Sequence, residues 1–506
     1  MSIFTHIIYM DINSKSIWEY NTNNNNYKTL NSDINTDICI IGGGIAGINI
    51  AYKLYKNNLN FIVLEKNKIC NKTTKYSTAK ITAQHGLIYY NIKQKYGLSI
   101  ARKYLNSNLK SIEEYKEIIS NENIDCDFET CDSIIFTQDI NRKKDIENEY
   151  KCLRSIGYTS VEILDNETIL PNIKYSIKFK NQAKFNPVKY TYALSNLFNE
   201  KIYEYANVKN IKRRNNKYII YANNNKIICN KVILCTHFPI KDIPGFYFVK
   251  MYQDTSYAIA VNIKDTDFKN VYLNLDNPTI SIRTAKIDNN NILIVGGNNT
   301  KTGDTALEKK YEFLENIAKQ IAPNCEILDR WSTQDCMTLD QIPYIGKFSN
   351  FMPNFYITTG FNKWGFTTSI IASNIILNKI LGNKTEIDDT FFSTRVHPIK
   401  NINKLYYNIN QSVQSIFLNK FKIKEEILDK IPNDTGRIIK INNKKIGIYK
   451  DINGKIFKVH PYCSHLKCVL TFNAEDKTWD CPCHGSRFDI YGNILNSPAN
   501  INIHIE

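Results

Sequence analysis

The sequence predicts an α/β domain with a parallel sheet at the start of the chain and a small all-β domain at its end. Two observations support this fold class. The stretch DICIIGGGIAGINIAYKLYKNNLNFIVLEK (37–66) has the order apolar strand, glycine-rich turn, helix and second apolar strand, as in a βαβ unit. Near the other end, RIIKINNKKIGIYK (437–450) and KIFKVH (455–460) alternate apolar and polar residues and are separated by an Asn-Gly turn, a pattern typical of paired strands.

Length and composition are those of a globular protein with several domains. The chain has 506 residues, 43% hydrophobic and 12% aromatic, which is enough for two or three separate cores. The net charge of +16 comes mostly from lysines that are spread along the chain without a basic block. Lysines distributed in this way are typical of solvated surfaces, so we predict no nucleic-acid partner.

The start of the chain and its cysteines favour a cytoplasmic protein. No apolar run approaches the ~18–20 residues that cross a bilayer, so no membrane span is predicted. The first residues, MSIFTHIIYMD, lack the basic region and the cleavage site of a signal peptide. Nine of the thirteen cysteines lie singly between residues 39 and 336, which does not suit a secreted disulfide framework. We expect these nine to be small core residues.

The glycine-rich turn predicts a dinucleotide site. Gly42, Gly44 and Gly47 form G-x-G-x-x-G between strand and helix, where glycines allow a pyrophosphate to approach the helix N-terminus. Glu65 ends the second strand and is placed to accept hydrogen bonds from ribose hydroxyls. We find no second motif of this kind, which favours a flavoenzyme that holds FAD permanently over a reductase that binds two dinucleotides.

Two later segments agree with such a domain. NKVILCTHFPI (230–240) is an apolar strand that runs into a turn. FYITTGFNKWGFTTSIIASNIILNKILG (355–382) predicts a strand, a glycine-bearing turn and a buried apolar helix that ends at Gly382. The free N–H groups at the start of this helix, residues 365–368, are expected to face the flavin ring or its ribityl chain.

Two short segments near the end of the chain hold metal-ligating residue types. CSHLKC (463–468) and CPCHGS (481–486) together give C-x-H-x15-C-x2-H, the pattern of a Rieske [2Fe–2S] centre. In such a centre two thiolates bind one iron and two imidazoles bind the other. The ligands predicted here are Cys463, His465, Cys481 and His484. Zinc is the alternative, although its ligands usually come as C-x2–4-C knuckles, and a loop without metal is the other.

The chain resembles the D-amino acid oxidase-type (DAO) FAD-dependent oxidoreductases, in particular the subgroup with a C-terminal Rieske domain. The resemblance is carried by the glycine motif, the Rieske loops and four further blocks: STAKITAQHGLIYY (77–90), FNPVKYTYAL (185–194), WSTQDCMTLDQIPYIG (331–346) and TGFNKWGFTTS (359–369). It implies a Rossmann-like FAD domain of the glutathione-reductase type, interleaved with an α+β substrate domain and followed by an all-β Rieske domain. One block departs from the family, which has GGEDHKTG where this chain has GGNNTKTG (296–303). The departure puts a metal- or acid-based role of that block in doubt.

The resemblance also gives domain bounds and a set of FAD-binding positions. We place the oxidoreductase domain at 31–392, with a substrate subdomain at roughly 91–184 and 241–330. A connecting segment is expected at 393–425 and the Rieske domain at 426–506. The implied FAD-binding residues are Gly42, Gly44, Gly47, Glu65, Lys66, Ser77, Thr78, Gly360, Trp364, Gly365, Phe366 and Thr367. The resemblance further implies a disulfide between Cys468 and Cys483, with two reduced thiols as the alternative.

Three residues are candidates for the flavin chemistry. Such chemistry needs a substrate oriented over the flavin and a donor that stabilises the reduced ring. Lys80 and His85 follow the first βαβ unit and are candidates for that donor, whereas Arg283 matches a basic position near the DAO substrate site and could hold a carboxylate. Each has a structural alternative: a helix cap for Lys80, a core histidine for His85 and a surface ion pair for Arg283.

These expectations lead to a functional hypothesis. The chain is expected to be a dehydrogenase that passes two electrons from a small substrate, an amine or amino acid, to FAD. The electrons then leave FAD one at a time through the Rieske cluster to an external partner, a one-electron acceptor or donor protein. The alternative is a non-catalytic redox sensor or electron-relay module. A ring-hydroxylating oxygenase is excluded because it needs a 2-His-1-carboxylate iron site. The histidines outside the Rieske domain, namely His6, His85, His237 and His397, include no two that are close in sequence.

Overall fold

The structure is a computed structural model and describes residues 16–20, 22, 26–165, 167–264, 268–287, 290–304, 309–395 and 428–505. The strands are β1 (Lys28–Thr29), β2 (Ile34–Ile41), β3 (Phe61–Leu64), β4 (Lys80–Ile81), β5 (Glu129–Thr137), β6 (Val161–Leu164), β7 (Tyr175–Lys184), β8 (Ile202–Glu204), β9 (Val208–Arg214), β10 (Lys217–Ala222), β11 (Asn225–Leu234), β12 (Met251–Ile263), β13 (Val271–Asn274), β14 (Ile280–Ile287), β15 (Asn290–Lys301), β16 (Glu326–Thr338), β17 (Tyr344–Lys347), β18 (Phe355–Thr359), β19 (Thr435–Ile441), β20 (Lys444–Lys450), β21 (Ile456–Val459), β22 (Thr471–Asn473), β23 (Thr478–Asp480), β24 (Arg487–Phe488) and β25 (Ile494–Asn496).

The helices are α1 (Ile45–Lys56), α2 (Ile88–Tyr96), α3 (Leu98–Asn121), α4 (Lys143–Ser155), α5 (Pro187–Asn196), α6 (Tyr247–Lys250), α7 (Lys310–Ile321), α8 (Gly365–Leu381) and α9 (Asp388–Phe391). Short 3-10 turns occur at Ile17–Glu19, Ile140–Arg142, Asn199–Lys201 and Leu428–Lys430. None of the helices in the described part of the chain is long and apolar enough to cross a membrane.

The first sheet is the parallel sheet that the glycine motif predicts. Its strands run in the order β1-β8-β3-β2-β11-β10-β9, and β18 pairs with β11. The pairs of β2 with β3 and with β11 are parallel, and α1 makes the connection between β2 and β3. Helix α1 packs against α8, whose C-cap is the left-handed Gly382. The predicted strand, turn and helix over 355–382 are therefore confirmed.

A second sheet stands where the substrate domain is expected. Its order is β16-β12-β15-β14-β13-β5-β7-β4, with β6 beside β7. Most of its neighbours are antiparallel, whereas β13 and β5 are parallel. Long segments of the chain leave the first sheet, build the second and return, so the interleaved α/β and α+β fold is confirmed. The sheet includes β4, which lies before the predicted substrate range 91–184, and β16, which continues beyond the predicted end at residue 330.

The C-terminal part is all-β, as predicted. The strands β19, β20 and β21 form one antiparallel sheet, and β22 to β25 form another. The hairpin between β19 and β20 turns at Asn442 and Asn443, which both have positive φ, as a two-residue hairpin turn of right twist requires. Trp479 and Phe488 lie in the buried core of this domain.

Two expectations concern single segments and residues. The connecting segment predicted at 393–425 lies outside the described residues from position 396 onward. The described residue Arg395 is buried and pairs with Asp340 through two of its nitrogens, at 2.6 and 3.1 Å. Of the nine single cysteines, eight are buried and Cys325 is half-buried, which agrees with small core residues.

Candidate active site and metal centre

The glycine-rich turn lies between β2 and α1 and leaves the start of the helix open. Gly42 has a φ of +111°, and a side chain on Gly47 would overlap the carbonyl oxygen of Gly42. The N-cap residue of α1, Gly44, offers no side-chain cap to the first backbone N–H groups. The N–H of Ile45 donates to the hydroxyl of Thr74 at 3.1 Å. A glycine-rich helix start whose N-cap has no side chain still fits a pyrophosphate.

Glu65 is held beside this turn. Its carboxylate accepts hydrogen bonds from the N–H groups of Gly43 at 2.8 Å and Asn67 at 2.9 Å. Each oxygen keeps capacity for a further donor such as a ribose hydroxyl. Burial raises the pKa of Glu65, and the backbone donors act against that rise.

A first cavity opens from the glycine turn and contains most of the implied FAD-binding positions. Its lining includes Gly42, Gly44, Glu65, Lys66, Ser77, Gly360, Gly365 and Phe366. Thr78 and Trp364 line a second cavity, which Ser77 and Phe366 share. Gly47 and Thr367 line neither cavity, since Gly47 packs on Gly42 and the Thr367 hydroxyl lies 3.3 Å from Nε2 of His85.

The second cavity has a volume of about 520 Å³ and contains two of the three catalytic candidates. Lys80 donates to the carbonyl oxygen of Tyr272 at 2.6 Å and to the hydroxyl of Ser281 at 2.5 Å. Burial lowers the pKa of Lys80 to about 7. At neutral pH this amine is therefore only partly charged.

His85 has partners at both ring nitrogens. Nε2 lies 2.8 Å from the carbonyl oxygen of Thr82, to which it donates, and Nδ1 lies 2.8 Å from the hydroxyl of Tyr104, from which it accepts. Burial lowers the pKa of His85 to about 3, so the ring is neutral. The imidazole stacks on Trp364 with ring centroids 4.5 Å apart. In this arrangement His85 orients a wall of the cavity and has no free donor for a flavin.

Arg283 does not reach either cavity. Its Nε and Nη1 groups donate to backbone carbonyls of Thr284, Thr78, Ala79 and Phe185. The guanidinium also lies 5.0 Å from the ring centre of Trp18. These contacts tie three segments of the backbone together, so the structure gives no support for the predicted role in binding a substrate carboxylate.

Sequence reasoning missed two acidic residues at the junction of the cavities. Asp254 on β12 and Asp335 on β16 are direct cross-strand partners. Asp335 lines both cavities, and Asp254 lines the second. Lys363 donates to Asp254 at 2.8 Å. The block WSTQDCMTLDQIPYIG contains Asp335, but only the strand pairing reveals that it faces Asp254.

The four predicted metal ligands lie together in the C-terminal domain. Cys463 and Cys481 are buried and hydrogen-bonded to each other, and this contact lowers the pKa of the Cys463 thiol. The rings of His465 and His484 have centroids 5.1 Å apart. The Nδ1 atoms of both histidines are buried without a partner among the described residues. Two adjacent thiols and two neighbouring imidazoles with unpartnered Nδ1 atoms are the residue types that hold a [2Fe–2S] cluster with two cysteine and two histidine ligands.

The disulfide that the resemblance implies is present. Cys468 and Cys483 are joined at an S–S distance of 2.06 Å, and their Cα atoms lie 6.6 Å apart. The bond connects the two loops that carry the ligands. Cys481 lies with its sulfur within 4.8 Å of both sulfurs of the disulfide.

Asp242 and Phe248 of the oxidoreductase domain contact the two ligand histidines. Nε2 of His465 lies 2.8 Å from Oδ2 of Asp242, so Nδ1 is the ring nitrogen left without a partner among the described residues. The ring of Phe248 is edge-on to His465 at 6.4 Å and to His484 at 5.5 Å. Both contacts come from the segment between β11 and β12, which has no local sequence signal for a metal centre. The histidine edge of the centre therefore faces the oxidoreductase domain.

Two glutamines complete this interface. The Gln253 amide donates to the carbonyl oxygens of His484 at 2.7 Å and Ser497 at 2.9 Å. The Gln334 amide donates to the carbonyl oxygen of Gly485 at 2.8 Å. Gly485 has a φ of +78°, and a side chain there would overlap Gln253. Side chains of the oxidoreductase domain therefore bind backbone carbonyls of the Rieske domain at the loop that carries His484.

Polar contacts beside the ligand loop extend the interface. Arg487 is buried and pairs with Asp480 at 3.0 Å and with Asp476 at 2.5 Å. Asp476 also accepts from Ser332 on β16 at 2.6 Å and from Tyr311 on α7 at 3.0 Å. We call Arg487, Asp476, Asp480, Ser332 and Tyr311 the docking network. The end of the block at 296–303 also joins the interface, where the Gly303 carbonyl accepts from Thr471 at 2.9 Å.

Comparisons with known proteins agree with both parts of the chain. The family model described as FAD dependent oxidoreductase (DAO) matches residues 37–378, and the one described as Rieske [2Fe-2S] domain matches residues 425–505. The putative Rieske 2Fe-2S iron-sulfur protein YhfW of Bacillus subtilis (strain 168) is 31% identical over 489 residues, 96% of each chain.

Solved structures are similar in fold to the first part of the chain. Glycine oxidase from Geobacillus kaustophilus has a TM-score of 0.60 at 15% identity, covering 72% of this chain and 100% of that one. L-proline dehydrogenase from P. horikoshii has a TM-score of 0.58 at 17% identity, covering 72% of this chain and 98% of that one.

Proposed function

The chain belongs to the DAO family of FAD-dependent oxidoreductases and carries a Rieske domain, and from this premise we propose that it oxidises a small amine or amino acid and passes the electrons through its own cluster to an external acceptor protein. The chain is an FAD-dependent oxidoreductase, and its cofactors are FAD and a Rieske [2Fe–2S] cluster. The cytoplasmic location that the sequence predicts stays a prediction.

The first cavity is the proposed FAD site. The open start of α1 with Gly42 and Gly44 would hold the pyrophosphate, and Glu65 would hold a ribose. The start of α8 at Gly365 and Phe366 lines the same cavity and supplies further backbone N–H groups. When bound, FAD supplies a two-electron acceptor for the substrate.

Cys463, Cys481, His465 and His484 are the proposed ligands of the cluster. The Nδ1 atoms of the histidines are the ligating atoms that remain free, because Asp242 takes the Nε2 side of His465. A bound cluster supplies a one-electron carrier between FAD and an external protein.

The second cavity is the proposed substrate site. It shares Ser77, Asp335 and Phe366 with the FAD cavity, so a molecule bound there lies next to the flavin site. Oxidation of an amine removes two electrons and two protons and gives an imine, which water hydrolyses to a carbonyl compound and ammonia or a smaller amine. Two similar structures are named for oxidation of glycine and dehydrogenation of L-proline, and this supports a substrate with a nitrogen.

One observation carries the relay part of the proposal: the FAD cavity ends at the Rieske domain. Its lining includes Leu495, Asn496 and Ser497 of the Rieske domain together with Gln253. Gln253 in turn donates to the carbonyl oxygen of His484, a proposed cluster ligand. Gln253 thus links the lining of the proposed FAD site to a proposed cluster ligand, and this supports electron exchange within one chain.

Anaerobic reduction of the purified protein tests the proposal. Small amines and amino acids are added one at a time, flavin bleaching is followed by absorbance, and the Rieske signal is followed by EPR. We expect a subset of these compounds to bleach the flavin and to raise the EPR signal in the same sample. If none bleaches the flavin, the sensor alternative is favoured.

A cluster-free variant separates the two halves of the proposal. Cys481→Ser should lose iron and sulfide, keep FAD, and still be bleached by substrate, because the two domains have separate cores. Turnover with a one-electron acceptor protein should then fall sharply. Cys325→Ser, a free cysteine of the oxidoreductase domain, is the matched control and should behave as the parent. Unchanged turnover in a verified cluster-free variant would refute the relay.

A further inference from the structure

The junction of the two cavities is acidic because of a cross-strand pair. Asp254 and Asp335 lie directly opposite each other on β12 and β16, an arrangement in which two like charges destabilise the sheet. The repulsion within such a pair is relieved by a nearby cation or by a proton on one carboxylate. The protein supplies a cation to one of the two carboxylates and not to the other.

Asp254 is fully compensated by the protein. Lys363 lies 2.8 Å from Oδ2 of Asp254, and the amide of Asn299 donates to the same oxygen at 2.6 Å. Lys363 also donates to the hydroxyl of Ser256 at 3.0 Å. These contacts hold the Lys363 ammonium group on Asp254 and Ser256, so it is not available to bind a substrate carboxylate.

Asp335 has no such partner. Among the described residues its carboxylate makes no hydrogen bond and no ion pair, although it lines both cavities. Burial raises the pKa of Asp335 to about 6, the nearby Asp254 contributes to the rise, and Lys363 acts against it. The side chain is only half-buried and lines both cavities, so a cation bound there would gain an ionic partner in this carboxylate.

The cations that line the second cavity already have partners. Lys80 donates to Tyr272 and Ser281, and Lys363 is paired with Asp254. Arg142 pairs with Asp145 at 3.0 Å and donates to the carbonyl of Leu275. Of these three, Lys80 alone has no carboxylate partner among the described residues, and burial leaves it only partly charged at neutral pH, whereas a substrate cation meets the carboxylate of Asp335.

The rest of the lining suits an alkyl or aryl ammonium ion. Five aromatic residues lie around the cavity, and aromatic faces attract organic cations as well as apolar groups. They are Tyr76, Tyr252, Tyr257, Trp364 and Phe366. His85 fixes the orientation of Trp364 by stacking on it.

We propose that the second cavity binds a small organic ammonium ion that has no carboxylate beside its nitrogen, and that Asp335 is the residue that binds the ammonium group. The inference rests on the proposed function, because it names the class of amine that the oxidoreductase takes. It sets this chain apart from enzymes of similar fold that are named for amino acids.

Binding to the FAD-loaded protein with oxidised flavin tests this without turnover. Ligand binding is followed by the shift in the visible flavin absorbance, with isobutylamine, benzylamine and ethylamine as cationic probes. Isobutanol is the neutral counterpart of isobutylamine, and valine is the same amine with a carboxylate added. We expect at least one amine to bind, and its alcohol or amino-acid counterpart to bind at least about tenfold more weakly.

Three variants show whether Asp335 is the cause. Asp335→Asn should weaken amine binding at least about tenfold and leave binding of the neutral alcohol unchanged. Asp335→Glu keeps the charge and should retain the preference for amines. Asp329→Asn is the matched control, since Asp329 lies on the same strand and lines neither cavity.

The outcomes separate this inference from the proposed function. It is overturned if valine binds more tightly than isobutylamine, if no amine shifts the flavin spectrum, or if the preference survives Asp335→Asn. If amino acids bleach the flavin equally in the parent protein and in Asp335→Asn, the proposed function stands and the ammonium site is refuted. If amine binding depends on Asp335 but no amine bleaches the flavin, the ammonium site stands and the proposed function is refuted.

Discussion

The side-chain amide of Gln253 donates a 2.7 Å hydrogen bond to the carbonyl oxygen of His484 and lines the proposed FAD cavity at the same time. One side chain thus touches both a proposed cluster ligand and the flavin site. The contact is possible because Gly485 has no side chain where Gln253 passes. Leu495, Asn496 and Ser497 line the same cavity, so the Rieske domain forms part of the wall of the proposed FAD site.

The first prediction concerns this contact. Gln253→Leu keeps the size of the side chain but leaves the carbonyl oxygens of His484 and Ser497 without their donor. We expect a loss of about 1–3 kcal/mol in the stability of the docked Rieske domain, measured by urea unfolding followed through cluster absorbance. Gln138→Leu, which removes an exposed amide-to-carbonyl bond, should change this value little. If both variants had the same free energy of unfolding, Gln253 would not stabilise the docked Rieske domain.

The second prediction concerns the potential of the cluster. Asp242 places a negative charge 2.8 Å from Nε2 of His465, and this charge favours the oxidised cluster, which is the more positive state. Asp242→Asn should raise the reduction potential by about 10–40 mV, the equivalent of about 0.2–1 kcal/mol for a half-exposed ion pair and one electron.

Redox titration followed by EPR measures this shift. Asp389→Asn removes a surface carboxylate that pairs with Lys103 and is the control. A fall in potential, or an equal rise in the control, would contradict the assigned role of Asp242.

The sequence predicted the two cofactor sites from local patterns. The glycine motif and the C-x-H and C-x2-H spacings lie within short segments, where chemistry demands fixed residue types. The apolar helix that ends at Gly382 was predictable for the same reason.

The junction between the sites was not predictable in this way. Asp254 and Asp335 meet only through strand pairing, and Asp242, Phe248 and Gln253 reach the ligand histidines only when the domains dock. None of these five belongs to a periodic or spaced pattern in the sequence. Arg283 was singled out because it matches a basic position near the DAO substrate site, but its partners are the backbone carbonyls of its neighbour Thr284 and of two distant segments.

The third prediction concerns the docking network. Arg487→Ala leaves the buried carboxylates of Asp476 and Asp480 without their cation. We expect the Rieske domain to lose about 3–5 kcal/mol of stability, with loss of the cluster at moderate temperature and retention of FAD. Thermal melting followed separately through cluster and flavin absorbance measures both. Arg154→Ala, at an exposed position, should leave both transitions in place. A joint loss of FAD would mean that the domains do not unfold separately.

The fourth prediction concerns pH. The pKa of Asp335 is raised to about 6 by burial, so the carboxylate is charged above this pH and neutral below it. Isobutylamine and ethylamine stay protonated up to about pH 10. Their affinity should therefore fall about tenfold per pH unit below 6, and loss of the proton from Lys80, whose pKa is about 7 in the same cavity, should add a smaller rise between about pH 6 and 8.

Asp335→Asn should remove this step from the pH profile. Asp254 and Lys363 face the same carboxylate, but both are engaged with each other. A step near pH 6 that persists in the variant would assign the titration to another group.

The central claim is that flavin and cluster exchange electrons within one chain. Flash photoreduction of the bound flavin under anaerobic conditions, with the cluster followed by absorbance, measures this transfer directly. The account predicts that the cluster is reduced as the flavin is reoxidised, at a first-order rate that does not depend on protein concentration, and that Cys481→Ser shows no reoxidation on this timescale. A rate proportional to protein concentration, or a flavin that stays reduced beside an oxidised cluster, would contradict the account.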